Sequence, residues 1–217
     1  MEPVLKILLA YLIGSVSGSL VMGRLKNVDI RTMGSGNAGG TNALRTQGFW
    51  FALAVVIIDV GKGALAVGWV PGLNLPGLAD APVPERLVLA CGLAAVLGHC
   101  YPAWHGFRGG KGAATCVGVL AVLQPWVLVP MLATWILTLG ITGYVGVATV
   151  LCGYSLIPAV IYLDLGNEFL VFAVVLALFM TFTHRSNFRN LARGEEHRAE
   201  RARFVNWFKK PDTGDGH

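Results

Sequence analysis

The chain has 217 residues, of which 54% are hydrophobic and only 13% charged, with a formal net charge of +5. Soluble domains carry about 25% charged residues, and here the apolar residues come in blocks, so a soluble globular protein is excluded. The composition is that of an all-α, polytopic integral membrane protein, with no nucleic-acid partner expected.

The first apolar run, 4–23, is 20 residues long. A signal peptide's apolar region is about 7–15 residues, and no clear Ala-x-Ala site follows, so the spacing predicts a retained first helix. Its Gly14-Ser-Val-Ser-Gly-Ser19 end suits close helix packing. A polar loop, 24–48, comes next. Its core interleaves Gly34, Gly36, Gly39, Gly40 and Gly48 with Ser35, Asn37, Thr41, Asn42 and Arg45. Glycines let a ligand approach the backbone, successive free N–H groups form a concave anion site, and a guanidinium beside them suits a phosphate.

A second helix is predicted over 49–70. Asp59 and Lys62 lie three apart on one face of it. Charges at bilayer depth face the protein interior, and the pair reads as an internal ion pair or a substrate contact. Residues 71–86, with four prolines, read as an irregular loop. A third helix follows over 87–101, and then a second polar stretch, 98–115. The apolar stretch 112–141 is interrupted at Gln124-Pro125, which is either a kink or a turn. A glycine-rich break near 140–146 precedes a helix to about 163. A short acidic turn, 164–168, leads to the last helix, 169–183. The four cysteines (91, 100, 116, 152) show neither CxxC nor metal-ligand spacing and read as buried small residues.

Charge decides between kink and turn. Cytoplasmic loops collect Lys and Arg. Loop 24–48 carries Arg24, Lys26, Arg31 and Arg45, the tail after His184 carries eight, and loop 164–168 carries none. A turn at Gln124-Pro125 gives seven transmembrane helices, some short or re-entrant. The amino terminus is then outside and the carboxyl terminus cytoplasmic. Residues 1–200 form a single transmembrane domain and 201–217 a basic tail.

This topology brings three polar motifs to the cytoplasmic face. The first is the loop around Ser35. The second, Arg108-Gly-Gly-Lys-Gly112, sits immediately before a helix. Helix-terminal amides with Gly109, Gly110, Lys111 and Gly112 make a second anion site. It is not a Walker A loop, because Gly112 follows Lys111 and His105 holds the first-glycine position. The third motif runs from Thr183 through His184, Asn187 and Glu196. His184 and Asn187 share a face if the helix continues, while Arg185, Arg189 and Arg193 form a basic stripe suited to lipid headgroups. Two anion-binding loops at a membrane surface suit an enzyme with a phosphorylated water-soluble substrate and an acyl or lipid co-substrate. The competing reading is a transporter of glycerol phosphate or phosphate, for which Asp59, Lys62 and the broken helices speak. Against it stand the absence of internal duplication and the placement of the motifs at one face.

Gly34-Ser-Gly-Asn-Ala-Gly-Gly-Thr-Asn-Ala-Leu-Arg45, Gly98-His99 with Pro102 and Phe107-Arg-Gly-Gly-Lys-Gly112, and His184-Arg-Ser-Asn187 with Gly194-Glu-Glu196 resemble the three cytoplasmic motifs of the bacterial acyl-phosphate:glycerol-3-phosphate acyltransferases, the PlsY family. Asp59-Val-Gly-Lys62-Gly also resembles the family's second helix. One departure is Ala38-Gly39-Gly40, where many members have Pro-Gly-Ala. The resemblance implies transfer of an acyl group from acyl phosphate to the 1-hydroxyl of glycerol 3-phosphate. The products are 1-acyl-glycerol 3-phosphate (lysophosphatidic acid) and phosphate, and no metal, coenzyme A or other cofactor is needed. It implies catalytic roles for Ser35, Arg45, Lys111, His184 and Asn187. Substrate binding falls to Gly34, Gly36, Asn37, Thr41, Asn42, Gly109, Gly110 and Gly112, and structural roles to Glu196, Asp59 and Lys62. The implied place is the bacterial inner membrane, with the active site facing the cytoplasm. The other large class of glycerolipid acyltransferases pairs His with Asp five positions on, which none of the five histidines here does.

Overall fold

The computed structural model describes residues 1–74 and 83–207. Helices account for most of this, and no strand occurs among the described residues. The first apolar run is two helices, α1 (Glu2–Gly14) and α2 (Gly18–Lys26), bent by 41°. The single helix expected over 4–23 is therefore broken at Ser15–Ser17. The freed backbone finds partners in the next membrane helix but one, α4, rather than in its own helix. Lys62 Nζ donates to the Val16 carbonyl at 2.7 Å, and the Gly18 N–H donates to Asp59 Oδ1 at 3.1 Å. Non-helical backbone at this depth is tolerated only where protein satisfies it.

A short helix α3 (Gly40–Gln47) lies within the polar loop, and α4 (Phe49–Gly68) follows. At 20 residues and ~1.5 Å per residue, α4 matches the ~30 Å apolar core of a bilayer. Of the proline-rich loop, residues 75–82 lie outside the described residues. Next come α5 (Glu85–Cys100), α6 (Ala113–Leu123), α7 (Leu128–Thr142), α8 (Val145–Tyr162) and α9 (Asn167–Thr183). A bend of 49° at His184 leads to α10 (Arg185–Ala192), and a short α11 (Phe204–Trp207) ends the described chain. The last membrane helix ends at Thr183, as expected, and His184 is the residue before α10.

Four helices are long and apolar enough to cross a membrane, or six when each bent pair is one span. The seventh apolar segment, α6, has 11 residues, about 16 Å, and is too short to cross alone. Helix α4 packs against α1, α2, α3, α5 and α6, while α8 lies between α7 and α9. The α4–α6 crossing is close because Gly118 faces the Val60 backbone and Gly63 faces that of Thr115. Gly14 of α1 similarly lies against the Ala95 backbone of α5. Cys91, Cys100 and Cys116 are buried and Cys152 is half-buried.

Large aliphatic side chains cover the outside: Ile57, Leu65, Leu137, Val171 and Leu178 are all exposed. Such a surface suits lipid, since the tails are as apolar as the side chains. Exposed Trp50 and Trp104 flank the polar loops and Trp69 stands at the far end of α4, where indole rings favour the bilayer–water boundary.

Candidate active site

One cavity of about 470 Å³ gathers most of the residues singled out in the sequence. Ser35, Arg45, Lys111, His184 and Asn187 all line it, with Gly34, Asn37, Thr41, Asn42, Gly112, Asp59 and Glu196. Four helices begin at its wall: α3 at Gly39–Gly40, α6 at Gly112–Ala113, α8 at Val145–Gly146, and α10 at Ser186–Asn187. The first amides of a helix have no partner within it and carry partial positive charge, so the cavity favours anions. The shared starting points of α6 and α8 also settle the Gln124-Pro125 question. Helix α7 must run back toward the cavity between them, so the chain turns there.

The first loop is organised by Asn42, which is buried at 1% exposure. Its Oδ1 accepts from the Ser35 N–H at 3.0 Å, and its Nδ2 donates to the Ile30 and Met33 carbonyls at 3.1 and 3.0 Å. A side chain at Gly34 (φ +55°) would strike Asn42 Oδ1 and Thr46. The amides of Gly36 and Gly39 donate within the loop, to Met33 and Asn37. The loop is therefore less of an open amide nest than the glycines suggested. Its exposed product is the Ser35 hydroxyl, which makes no hydrogen bond to the described residues, and the start of α3. Arg31, held by Asp29 at 2.8 Å, donates to the His105 carbonyl at 3.1 Å and so joins this loop to the second motif.

Gly36, Gly109 and Gly110 do not line the cavity. The amides of Gly109 and Gly110 donate to the Cys100 and His99 carbonyls, each at 3.1 Å, and a side chain on either would collide with that backbone or the His99 ring. Gly112 adopts φ +94°, a conformation glycine tolerates, and turns the chain into α6.

Lys111 and Asn187 are hydrogen-bonded through Asn187 Oδ1, and Asn187 Nδ2 donates to Glu196 Oε1 at 2.7 Å. Glu196 thus ties the tail to α10 through an amide rather than through a basic side chain. Burial holds Lys111 below the ordinary lysine range, with Glu196 pulling up and Arg45 and Arg185 pushing down. Burial lowers Arg45 as well, again with Glu196 opposing. Arg45 and Lys111 face Glu195 and Glu196 across the cavity, while Asp59 is paired with Lys62. His184 Nδ1 lies 2.8 Å from the Met180 carbonyl. A carbonyl only accepts, so Nδ1 carries the proton and Nε2 keeps its lone pair.

Under the cavity, the Asp59–Lys62 pair is made at 2.8 Å, almost wholly buried, with His99 Nδ1 2.8 Å from Lys62 Nζ. His99, Gly146, Thr149, Asn190, Glu195 and His197 also line the cavity; His99 and Glu195 stand inside the motifs read from the sequence but were given no role there, and the other four were not singled out. The break at 140–146 carries no charge, so charge asymmetry gave it no weight, although its glycines were a signal. Gly146 leaves room for Asn187, which lies where its side chain would be.

The family model described as glycerol-3-phosphate acyltransferase matches residues 4–194. A relative of that name from Thioalkalivibrio sulfidiphilus is 42% identical over 189 residues, covering 86% of this chain and 89% of the relative. Another, from Coxiella burnetii, is 38% identical, covering 89% and 96%. Among solved structures, PlsY (YgiH), an integral membrane glycerol 3-phosphate acyltransferase, is similar in its glycerol 3-phosphate form. It superposes with a TM-score of 0.79 at 30% identity, covering 91% of this chain and 96% of that one. Its lysophosphatidic acid form matches equally well, with a TM-score of 0.79. The family model takes in all four helix starts that frame the cavity, the relatives cover most of the chain, and the chain belongs to the glycerol-3-phosphate acyltransferase family.

Proposed function

We propose that this protein transfers an acyl group from acyl phosphate to the 1-hydroxyl of sn-glycerol 3-phosphate, giving 1-acyl-glycerol 3-phosphate and phosphate, the first step of phospholipid synthesis. The observation that carries this reading is one cavity framed by four helix N-termini and holding Arg45 and Lys111. That arrangement fits two phosphate-bearing substrates held side by side. The cavity volume lies within the range of about 300–1,000 Å³ typical of small-molecule sites.

In this reading Arg45 and Lys111 clamp the two phosphates. Such positioning can lower a bimolecular barrier by roughly 7–11 kcal/mol. The glycerol O1 attacks the acyl carbonyl carbon, the bond from that carbon to the phosphate oxygen breaks, and the hydroxyl proton passes to the departing phosphate. His184 Nε2, an acceptor, orients glycerol 3-phosphate through its 2-hydroxyl, which leaves the proton of the attacking hydroxyl for the departing phosphate. Asn187 positions Lys111. Ser35 donates to the developing oxyanion. A nucleophilic serine needs a base within hydrogen-bond reach, and the Ser35 hydroxyl has no such partner among the described residues, which supports direct transfer over an acyl-Ser35 intermediate. Glu196, Asp59 and Lys62 hold the frame. Gly34, Gly36, Asn37, Thr41, Asn42 and Gly112 shape the first loop and the start of α6, and Gly109 and Gly110 back the second.

The site faces the cytoplasm of a bacterial inner membrane in this reading, with seven membrane segments, a unit over 1–200 and a tail beyond. The basic loop 24–48 and the basic tail lie on the cavity side and support that orientation. The test is purified protein in detergent with glycerol 3-phosphate and either palmitoyl phosphate or palmitoyl-coenzyme A, with chelator present. Lyso-lipid from palmitoyl phosphate alone is the expected result. Product from the coenzyme A ester alone would overturn the donor assignment. Uptake of unmodified glycerol phosphate into liposomes, with no product from either donor, would favour transport.

A further inference from the structure

His99 stands at the floor of the cavity with its side chain 3% exposed, and the reaction as described gives it no task. Its protonation is legible from Lys62. The ammonium has three N–H groups and three acceptors around it: the Val16 carbonyl at 2.7 Å, Asp59 Oδ1 at 2.8 Å and His99 Nδ1 at 2.8 Å. An ammonium only donates, so His99 Nδ1 must accept, and the proton of the neutral ring sits on Nε2. Asp59 Oδ1 lies 3.4 Å from the same Nδ1, a longer contact, and it already accepts from Lys62 and from the Gly18 N–H. Nε2 makes no hydrogen bond among the described residues. It borders Gly110, where a side chain would meet both Nε2 and the Ala38 carbonyl. His99 lines a cavity whose adjoining wall is the start of α6 and Lys111.

We propose that His99 is a further substrate-contacting residue, a neutral Nε2–H donor to a phosphate oxygen of bound substrate, locked in that tautomer by the Lys62 ammonium. The inference rests on the cavity's being the phosphate-binding site proposed above. It also gives Gly110 a reason to be glycine, because any side chain there would push the His99 ring from its place. Glycerol 3-phosphate and the acyl donor both present phosphate oxygens, so either can be the acceptor.

The test uses full-length protein labelled with [15N]histidine in detergent micelles, titrated with inorganic phosphate, His99 being assigned from H99N. The expected spectrum shows His99 with a bare Nδ1 and a protonated Nε2 whose resonance moves as phosphate binds. His184, in the same cavity, reports entry of the anion. A response at His184 but not at His99, or a proton on His99 Nδ1, overturns the proposal. A response at neither removes the phosphate reading of the whole cavity and this inference with it. Turnover of acyl phosphate with a silent His99 would leave the reaction standing while the His99 role falls.

Kinetics supply a crossed comparison. H99N keeps an acceptor for Lys62 but empties the Nε2 position. H99Q places an amide N–H near that position but loses the Lys62 contact. H99N is expected to melt near the parent temperature and to raise the KM for one substrate at least tenfold, the scale of a lost hydrogen bond to a charged group. H99Q is expected to melt lower and recover most of the KM. The substrate whose KM moves identifies the phosphate contacted. KM values that simply follow the melting temperature in both variants would make His99 structural and overturn the proposal.

Discussion

Asn42 shows how much one side chain can organise. Its amide makes three hydrogen bonds that fold the Ser35 loop over α3, and the Asn42 side chain is itself buried. N42A should destabilise the protein by roughly 2–4 kcal/mol and N42D should do no better, because a carboxylate cannot donate to the Ile30 and Met33 carbonyls. Thermal unfolding in detergent measures this, and melting temperatures unchanged in both variants would refute it. Lys111 carries a pH prediction. Its charged form is the one that binds phosphate, and its proton is held less tightly than an ordinary lysine's. Affinity for glycerol 3-phosphate should therefore fall as pH rises through a value below the usual lysine range. K111R should move that alkaline limb upward, since a guanidinium keeps its proton. Calorimetric titration across pH reads both. Arg45 and Lys111 were legible in the sequence because charge beside glycine has few uses other than anion binding. The individual glycines were not, because composition cannot tell a free amide from one already donating to Cys100 or His99. His99 stood in the second motif without a role, because a lone histidine near an apolar helix end carries no pattern of its own.

Among the elements, the α1–α2 break and the short α6 depart most from a simple hairpin bundle. Apolar periodicity gave the existence of both segments, but not the break. The break depends on Asp59 and Lys62, some forty residues away in sequence, which supply the partners that residues 16–18 would otherwise lack. Removing one partner of a buried pair leaves the other charge uncompensated and costs about 3–5 kcal/mol. D59N should therefore be poorly folded, and D59L/K62M, which removes both charges, should recover part of the loss in melting temperature. A double variant no more stable than D59N would show that the backbone contacts, not the charges, dominate. The α4–α6 crossing is tight enough that G118V would drive a side chain into the Val60 backbone. That variant should lose most folded yield on size-exclusion chromatography, and a normal monodisperse peak would contradict the close crossing.

For the whole molecule, charge asymmetry is the basis of the proposed topology. Lys and Arg collect on the cytoplasmic side, and the cavity lies at the end where those loops meet. A fourth cavity wall, the start of α8, escaped notice because its turn is uncharged. The tail is fastened at that same turn. The Ala199 N–H donates to the Gly143 carbonyl at 2.8 Å and Arg198 Nε to the Thr142 carbonyl at 2.9 Å, which sets Glu195–His197 against the cavity. Residues 208–217 of the expected tail lie outside the described chain. Direct transfer between two clamped phosphates is the claim on which the residue roles depend, and radiolabelled palmitoyl phosphate tests it. The account predicts that without glycerol 3-phosphate no label stays on the protein and no phosphate is released in a burst, and that with it all label appears in lyso-lipid. Label covalently retained on the protein, lost in S35A and chased into lyso-lipid by glycerol 3-phosphate, would contradict it.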